Sequence, residues 1–366
     1  MIPDRLTERR HGDASSWSHG VYRSIATPLS RIRTREWEPD MQCQSEVAPR
    51  TGADIHTLEA VALAATRSAA VASYAWVGRH DQQAADAAAT SAMRKALADA
   101  PGRGTVVIGE GEKDDAPMLF NGEVVGNGQG PDFDIAVDPL EGTSFCAKDL
   151  PGALATIAFG EPGTLWSPGP GFYMDKIVVP PGARDVIDLS DPPERTLVKV
   201  AEALGKKVGE LRVVIMDKPR HKELIARVLR AGAAVQTPAG GDVGGSLAVL
   251  LPTLDVDLLL GVGGTPEGVM TAAAVRALGG GMVGRLAPQR DEEADAIRAA
   301  GMSLDRIYNC DELVAGDAFF VATGVSGGSL VGRPRECDGT TIAESLLISR
   351  GQVRHITHTT FESFPG

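Results

Sequence analysis

Residues 138–143 read Asp-Pro-Leu-Glu-Gly-Thr, two carboxylates three positions apart beside a rigid proline and a glycine-threonine pair. Pro139 fixes its backbone angle, and a tight turn over this spacing swings Asp138 and Glu141 toward one point. Two hard carboxylates that converge favour a divalent cation. Mg²⁺ or Mn²⁺ suits oxygen ligands and completes its shell with water and phosphate oxygens, and the backbone N–H groups of Gly142 and Thr143 then remain for a phosphate. A capped surface turn uses the same residue types, so the motif alone leaves both readings open. A second acidic stretch strengthens the first reading: the apolar run at 105–108 is followed by Gly109-Glu110-Gly111-Glu112 and then Asp114-Asp115. A third acid stands out by its position. Helical periodicity over 83–98 puts Asp86 on one stripe with Ala89, Met93 and Leu97. An isolated charge there costs roughly several kcal/mol, so Asp86 needs hydrogen bonds, an arginine partner or a cation.

The elements that must position these acids can be read from pattern. An Ala-rich stretch at 58–76 has helical spacing, and 105–108 and the run through Ile135 and Val137 read as buried strands. Residues 155–167 give a hairpin signal, two apolar runs joined by Glu161-Pro162-Gly163. The first half is therefore a mixed sheet with helices. From residue 194 the periods alternate, with helices at 194–209, 222–230, near 245–251 and at 268–278, and apolar strands between them. Such alternation implies right-handed crossovers and a largely parallel sheet, with ligands beyond the strand ends. Those ends supply Lys218, Arg220, Asp242 and Glu267. Residues 344–361 read as a hairpin that turns at Arg350-Gly351 or Gly351-Gln352.

Composition bounds the rest. The chain has 366 residues, 43% of them hydrophobic, enough for one large or two moderate domains of an ordinary soluble protein. A formal net charge of -12 argues against sequence-independent nucleic-acid binding and leaves anionic substrates to local cations or metal ions. Cys43, Cys146, Cys310 and Cys337 are far apart and form no CxxC pair, which fits a reducing cytoplasm rather than a zinc or disulfide framework. Residues 1–50 mix arginine with acids and lack the apolar segment of a signal peptide or membrane span. They read as a poorly ordered extension, ahead of a metal-binding region at 51–193 and a substrate-side α/β region at 194–366.

The 138–143 motif resembles the metal-binding signature of the lithium-sensitive sugar and inositol phosphatases. Together with VIGEGEKDDAPML, FYMDKIVV, MDKPRH and GVGGTPEGV, it resembles most closely the class II fructose-1,6-bisphosphatases, whose photosynthetic relatives also take sedoheptulose-1,7-bisphosphate. The resemblance runs from about residue 54 to the C-terminus. It implies an α/β fold, the layered αβαβα sugar-phosphatase (inositol monophosphatase-like) architecture with mixed sheets, and phosphate release from a sugar bisphosphate. It implies that Asp86 and Glu110 hold one cation, that Asp138, Glu141 and Glu267 hold a second, and that Asp114 with Thr143 activates the attacking water. Substrate positions fall on Gly142, Thr143, Tyr173, Lys218, Pro219, Arg220, Gly240, Gly241, Asp242 and Gly264. A small phosphorylated sugar as the partner and a homodimer or homotetramer are implied with them, without nucleic acid or membrane.

Two positions depart from the family pattern. Gln82 stands where a lysine is usual, and Gly240-Gly241-Asp242 where Asp-Gly-Asp is usual. Both touch the implied active centre, and they raise the alternative of a repurposed member acting on another phosphorylated sugar. Lys113 and Lys148 are the candidates to make up the lost charge. Two remoter readings fail on their own motifs. The run at 261–267 begins Gly-x-Gly, but Pro266 takes the place of the third glycine of a dinucleotide fingerprint. Residues 324–328 match the serine-hydrolase GxSxG pattern around Ser326, yet the Ser-Leu-Val-Gly-Arg-Pro run at 329–334 cannot start a long helix; His221 heads a helix after Pro219-Arg220, and His355 and His358 sit in a hairpin where packed or solvated histidines are ordinary.

Overall fold

The computed structural model describes residues 54–110 and 118–361, all within one compact unit spanning 52–366. The expectations placed on residues 1–50, on Asp114 and on Lys113 lie outside the described residues. The described part begins with two α-helices, α1 (Glu59–Tyr74) and α2 (Gln82–Ala98), followed by β1 (Arg103–Ile108), β2 (Val124–Val125), β3 (Asp132–Glu141), α3 (Thr143–Ala147) and β4 (Leu154–Gly160). The middle comprises β5 (Tyr173–Val179), α4 (Pro193–Ala203), β6 (Arg212–Val214), α5 (Lys222–Arg230), β7 (Ala234–Gln236), α6 (Asp242–Leu250), β8 (Leu258–Gly264) and α7 (Thr265–Leu278). Next come β9 (Gly281–Leu286), α8 (Asp291–Ala299), β10 (Tyr308–Asn309) and α9 (Cys310–Leu313), and then β11 (Ala318–Gly324), β12 (Arg335–Cys337), β13 (Thr340–Ser349) and β14 (Gln352–Phe361).

These elements stack as alternating layers. One sheet runs in the order β12-β13-β11-β4-β3-β1-β2 with β14 beside β13, and the other in the order β10-β9-β5-β8-β6-β7. Three apolar clusters fill the spaces between layers. The first joins α1 and α2 to the outer face of the larger sheet, where Phe133, Phe159 and Phe319 from three neighbouring strands stack at centroid distances of 5.2 and 5.0 Å. The second surrounds α6 and α7 between the sheets, and the third packs α4 and α5 against the smaller sheet. The period of 2 along each strand divides side chains between clusters: Phe133, Ile135 and Val137 face α1 and α2, whereas Ala136 faces α7. Asp138 has the parity of Ala136, so the strand aims it at the layer that holds α7.

Two expectations need correction. The turn after Gly160 forms, with Thr164 N–H bonded to the Glu161 carbonyl at 3.1 Å, but no hairpin follows it. Leu165 bridges Val314, and β4 pairs instead with β3 and β11. Within the smaller sheet only β6, β7 and β8 run parallel. β5, entering from earlier in the chain, lies antiparallel between β8 and β9, so the sheet is mixed rather than largely parallel. The C-terminal hairpin turns at Arg350-Gly351, both with positive φ (50° and 73°), the backbone that a two-residue type I′ loop requires. Among the described residues no helix is long and apolar enough to cross a membrane.

Candidate active site

The stretch at 138–141 does not converge by a turn. β3 continues through Pro139 to Glu141, and three steps on β3 (Asp138 to Glu141) match two on β4 (Thr156 to Leu154). This bulge reverses the side-chain parity, so an odd-numbered acid joins an even-numbered one on the same face, while Leu140 stays in the cluster with α1 and α2. Asp138 Oδ1 accepts from the Leu140 N–H at 3.1 Å, which fixes the carboxylate across the bulge. Gly142 then takes φ 78°, the left-handed conformation that starts α3, and the Thr143 hydroxyl donates to the Leu140 carbonyl at 3.1 Å. Asp132 and Asp134 play no part in this. Asp134 is buried, and its Oδ2 accepts from the N–H groups of Thr164 and Leu165, anchoring the loop after β4.

The third acid arrives from the other sheet. β8 runs directly into α7, and Glu267 occupies the first turn of that helix. Ligand oxygens of Asp138, Glu141 and Glu267 all lie within 4.8 Å of one another. They line a cavity of about 800 Å³, which Asp86, Glu110 and Thr143 also reach. The donor set is hard oxygen throughout, as Mg²⁺ or Mn²⁺ requires. Gly264 adds a second sign of fit: a Cβ there would stand 1.6 Å from Glu267 Oε2, so this corner is shaped around the carboxylate. Among the residues implied for substrate, Tyr173 and Arg220 pair with each other, the guanidinium 5.2 Å above the ring and bonded to the Val262 carbonyl. Lys218 and Pro219 begin the turn before α5. Gly240 and Gly241 line a separate cavity of about 540 Å³ beside Phe145. Asp242, at the start of α6, is buried against Lys176. Gln82 is exposed at the first residue of α2, and Lys148 is exposed after α3.

Like charges this close cannot all stay ionised. Burial, and then the charges of Glu141, Glu110 and Glu267, hold Asp138 well above the usual carboxylate range. Burial and the charges of Asp242 and Glu267 push Glu141 up to about 8. The metal-free fold therefore keeps protons on these acids that the unfolded chain has lost. Its stability falls as pH rises from the ordinary carboxylate range toward 8, and each pH unit crossed costs about 1.4 kcal/mol for every acid that stays protonated in the fold alone. A cation displaces those protons and removes the penalty. Thermal unfolding with and without Mn²⁺ is expected to show a stabilisation that grows between about pH 5 and pH 8; a difference that is constant across this range would contradict the cluster as the binding site.

Several contributors carry no clear signal in the sequence. Phe120 and Phe172, both exposed, line the cavity with the Pro168-Gly169-Pro170-Gly171 segment. Glu293 of α8 holds that segment by accepting from the Phe172 and Tyr173 N–H groups at 2.8 and 3.1 Å. Lys176 stands in the sequence only inside the FYMDKIVV run; parity is the signal that could have found it, a lysine between Met174 and Val178 on a buried face. The rival motifs find no support. Ser326 is buried and accepts from the Ala153 N–H at 2.9 Å. His221 is enclosed between the Met216 carbonyl and the Val262 N–H, and burial lowers its pKa.

The model of the family described as bacterial fructose-1,6-bisphosphatase, glpX-encoded, matches residues 56–360. The chain belongs to this family. It is 42% identical over 305 residues to fructose-1,6-bisphosphatase 1 class 2 of Escherichia coli K12, covering 80% of this chain and 90% of that protein. Class 2 fructose-1,6-bisphosphatases of Escherichia coli O6:H1 and Shigella flexneri match with the same identity and coverage. Membership in the class II fructose-1,6-bisphosphatase family makes the protein a phosphoric monoester hydrolase of carbohydrate metabolism, and the carboxylate cavity accords with the metal dependence of such enzymes.

Proposed function

We propose that the chain releases a phosphate from fructose-1,6-bisphosphate or a related ketose bisphosphate, with Mg²⁺ or Mn²⁺ held by Asp138, Glu141 and Glu267 and a second cation by Asp86 and Glu110. The observation that carries this reading is the convergence of Asp138, Glu141 and Glu267, from two sheets, in one cavity. Bound there, divalent cations neutralise a phosphoryl group and make water a competent nucleophile at neutral pH. The chain's own residues do the rest. The Thr143 O–H donates its hydrogen bond to the Leu140 carbonyl, so the hydroxyl oxygen offers the cavity an acceptor for a water O–H. Asp114 is assigned the role of base, because a hydroxyl of ordinary pKa cannot take a proton at neutral pH. Arg220, stacked on Tyr173, and Lys218 are assigned to the phosphate that stays on the sugar.

Residues 51–193 supply most of the acids in this scheme, and residues 194–366 supply the substrate side together with Glu267. A cytoplasmic homo-oligomer completes the proposal. Release of inorganic phosphate across a panel of sugar mono- and bisphosphates tests it. Fructose-1,6-bisphosphate or another ketose bisphosphate is expected to be hydrolysed fastest, EDTA to abolish the reaction and a serine-directed phosphonate to leave it intact. Equal rates on every phosphate ester, or survival in EDTA, would end this reading.

A further inference from the structure

Lys176 is a fully buried cation, 1% exposed, in the middle of β5. Its ammonium donates to Asp242 Oδ2 and, at 2.9 Å, to the Gly264 carbonyl. Asp242 is the first residue of α6, and Gly264 is the residue on which β8 becomes α7. The lysine therefore sits at the N-terminal ends of two helices, where the helix dipoles disfavour positive charge. A buried ion pair is rarely more stabilising than a well-packed apolar pair of the same size, so stability alone gives little reason for this placement. What the placement does achieve is geometric. One step beyond Asp242, the Val243 N–H points at Glu141 Oε1 at 3.4 Å, and three residues beyond Gly264 stands Glu267. Both contacts of the ammonium lead to an acid of the cavity.

We propose that Lys176 is a positioning residue of the cation site: by tying the start of α6 to the β8–α7 corner, it sets the distance between Glu141 and Glu267. The surrounding glycines fit this role. A Cβ at Gly263 would stand 1.9 Å from Asp242 Oδ2 and 2.9 Å from Lys176 Nζ, and one at Gly268 would stand 3.7 Å from the same nitrogen. The backbone thus leaves room for the ammonium and the Asp242 carboxylate and little else.

The inference rests on the cation reading above, and its test separates the two. Mn²⁺ binding to chelator-stripped full-length protein is measured by titration calorimetry, without substrate. K176M/D242N removes both charges of the pair, so the net charge is unchanged and no buried ion is left alone; because the Asp242 charge also acts on Glu141, the charge-preserving G263A is the variant that separates lost position from altered field. G263A displaces the pair while keeping both charges, and it serves if the double variant does not fold. Each variant is expected to bind Mn²⁺ about 10–100-fold more weakly, the range of outer-shell partners of metal ligands. Wild-type affinity in either variant overturns the role of Lys176, whereas a wild-type protein that binds no Mn²⁺ overturns the cation site itself.

Discussion

Asp138→Asn is expected to abolish phosphate release while raising the unfolding temperature of the metal-free protein. The two effects have one cause. Asp138 is held protonated well above the usual range because burial and three neighbouring carboxylates oppose its charge. Asparagine keeps the shape and can still accept from the Leu140 N–H, so β3 and its bulge survive. Asparagine cannot ionise, so the fold no longer has to keep a proton there that the unfolded chain releases, and the metal-free protein loses less stability as pH rises toward 8. A gain of one or two kcal/mol would appear as a rise of several degrees, at roughly 2–3 °C per kcal/mol for a chain of this size. The cation loses a ligand, and the cost in activity should exceed the ~10–100-fold that outer-shell partners alone contribute. Phosphate release and thermal unfolding in EDTA check both halves. A variant that is inactive because it is unfolded would refute the charge argument.

Gly264→Ala separates ligand geometry from fold in another way. The added Cβ would fall 1.6 Å from Glu267 Oε2 and 2.4 Å from its Cδ, and these are atoms at the free end of a flexible side chain. Gly264 has φ -70° and ψ 141°, which alanine adopts without strain. The carboxylate therefore moves and the backbone does not. Cation affinity is expected to fall by about a hundredfold or more, with the unfolding temperature of the metal-free protein unchanged or slightly higher, because alanine restricts the unfolded chain by ~0.4–1 kcal/mol more than glycine. Calorimetric titration with Mn²⁺ beside a thermal scan makes the comparison. Retained affinity would mean that Glu267 does not face the cation.

Asp138, Glu141 and Glu110 stand out in the sequence because carboxylates cluster where strands end, and Asp86 because it shares a helical stripe with core residues; the structure brings these four acids to one cavity. How they converge is not legible in the sequence. A bulge adds one residue to a strand without altering its composition, so the period of 2 cannot reveal that Glu141 has changed face. The hairpin after Gly160 failed for a different reason: the Glu161-Pro162-Gly163 turn is real, but the partner of Leu165 lies about 150 residues away and carries no local signal. Alternating helices and strands correctly marked β6, β7 and β8 as parallel, yet nothing in that alternation shows that β5 inserts antiparallel beside β8. Asp134, on the same strand, belongs to the scaffold through its bonds from the Thr164 and Leu165 N–H groups, which no local pattern shows. Pairings distant in sequence account for most of what local pattern could not supply.

Phosphate release from fructose-1,6-bisphosphate by chelator-stripped protein, followed as Mn²⁺ is added back, tests the central claim most directly when Glu267→Gln is run beside the parent. The expected result is no release without the ion, saturable recovery for the parent, and little recovery for the variant at any Mn²⁺ concentration the parent needs. Full release by stripped protein, or recovery by Glu267→Gln at the parent's Mn²⁺ concentration, would contradict it.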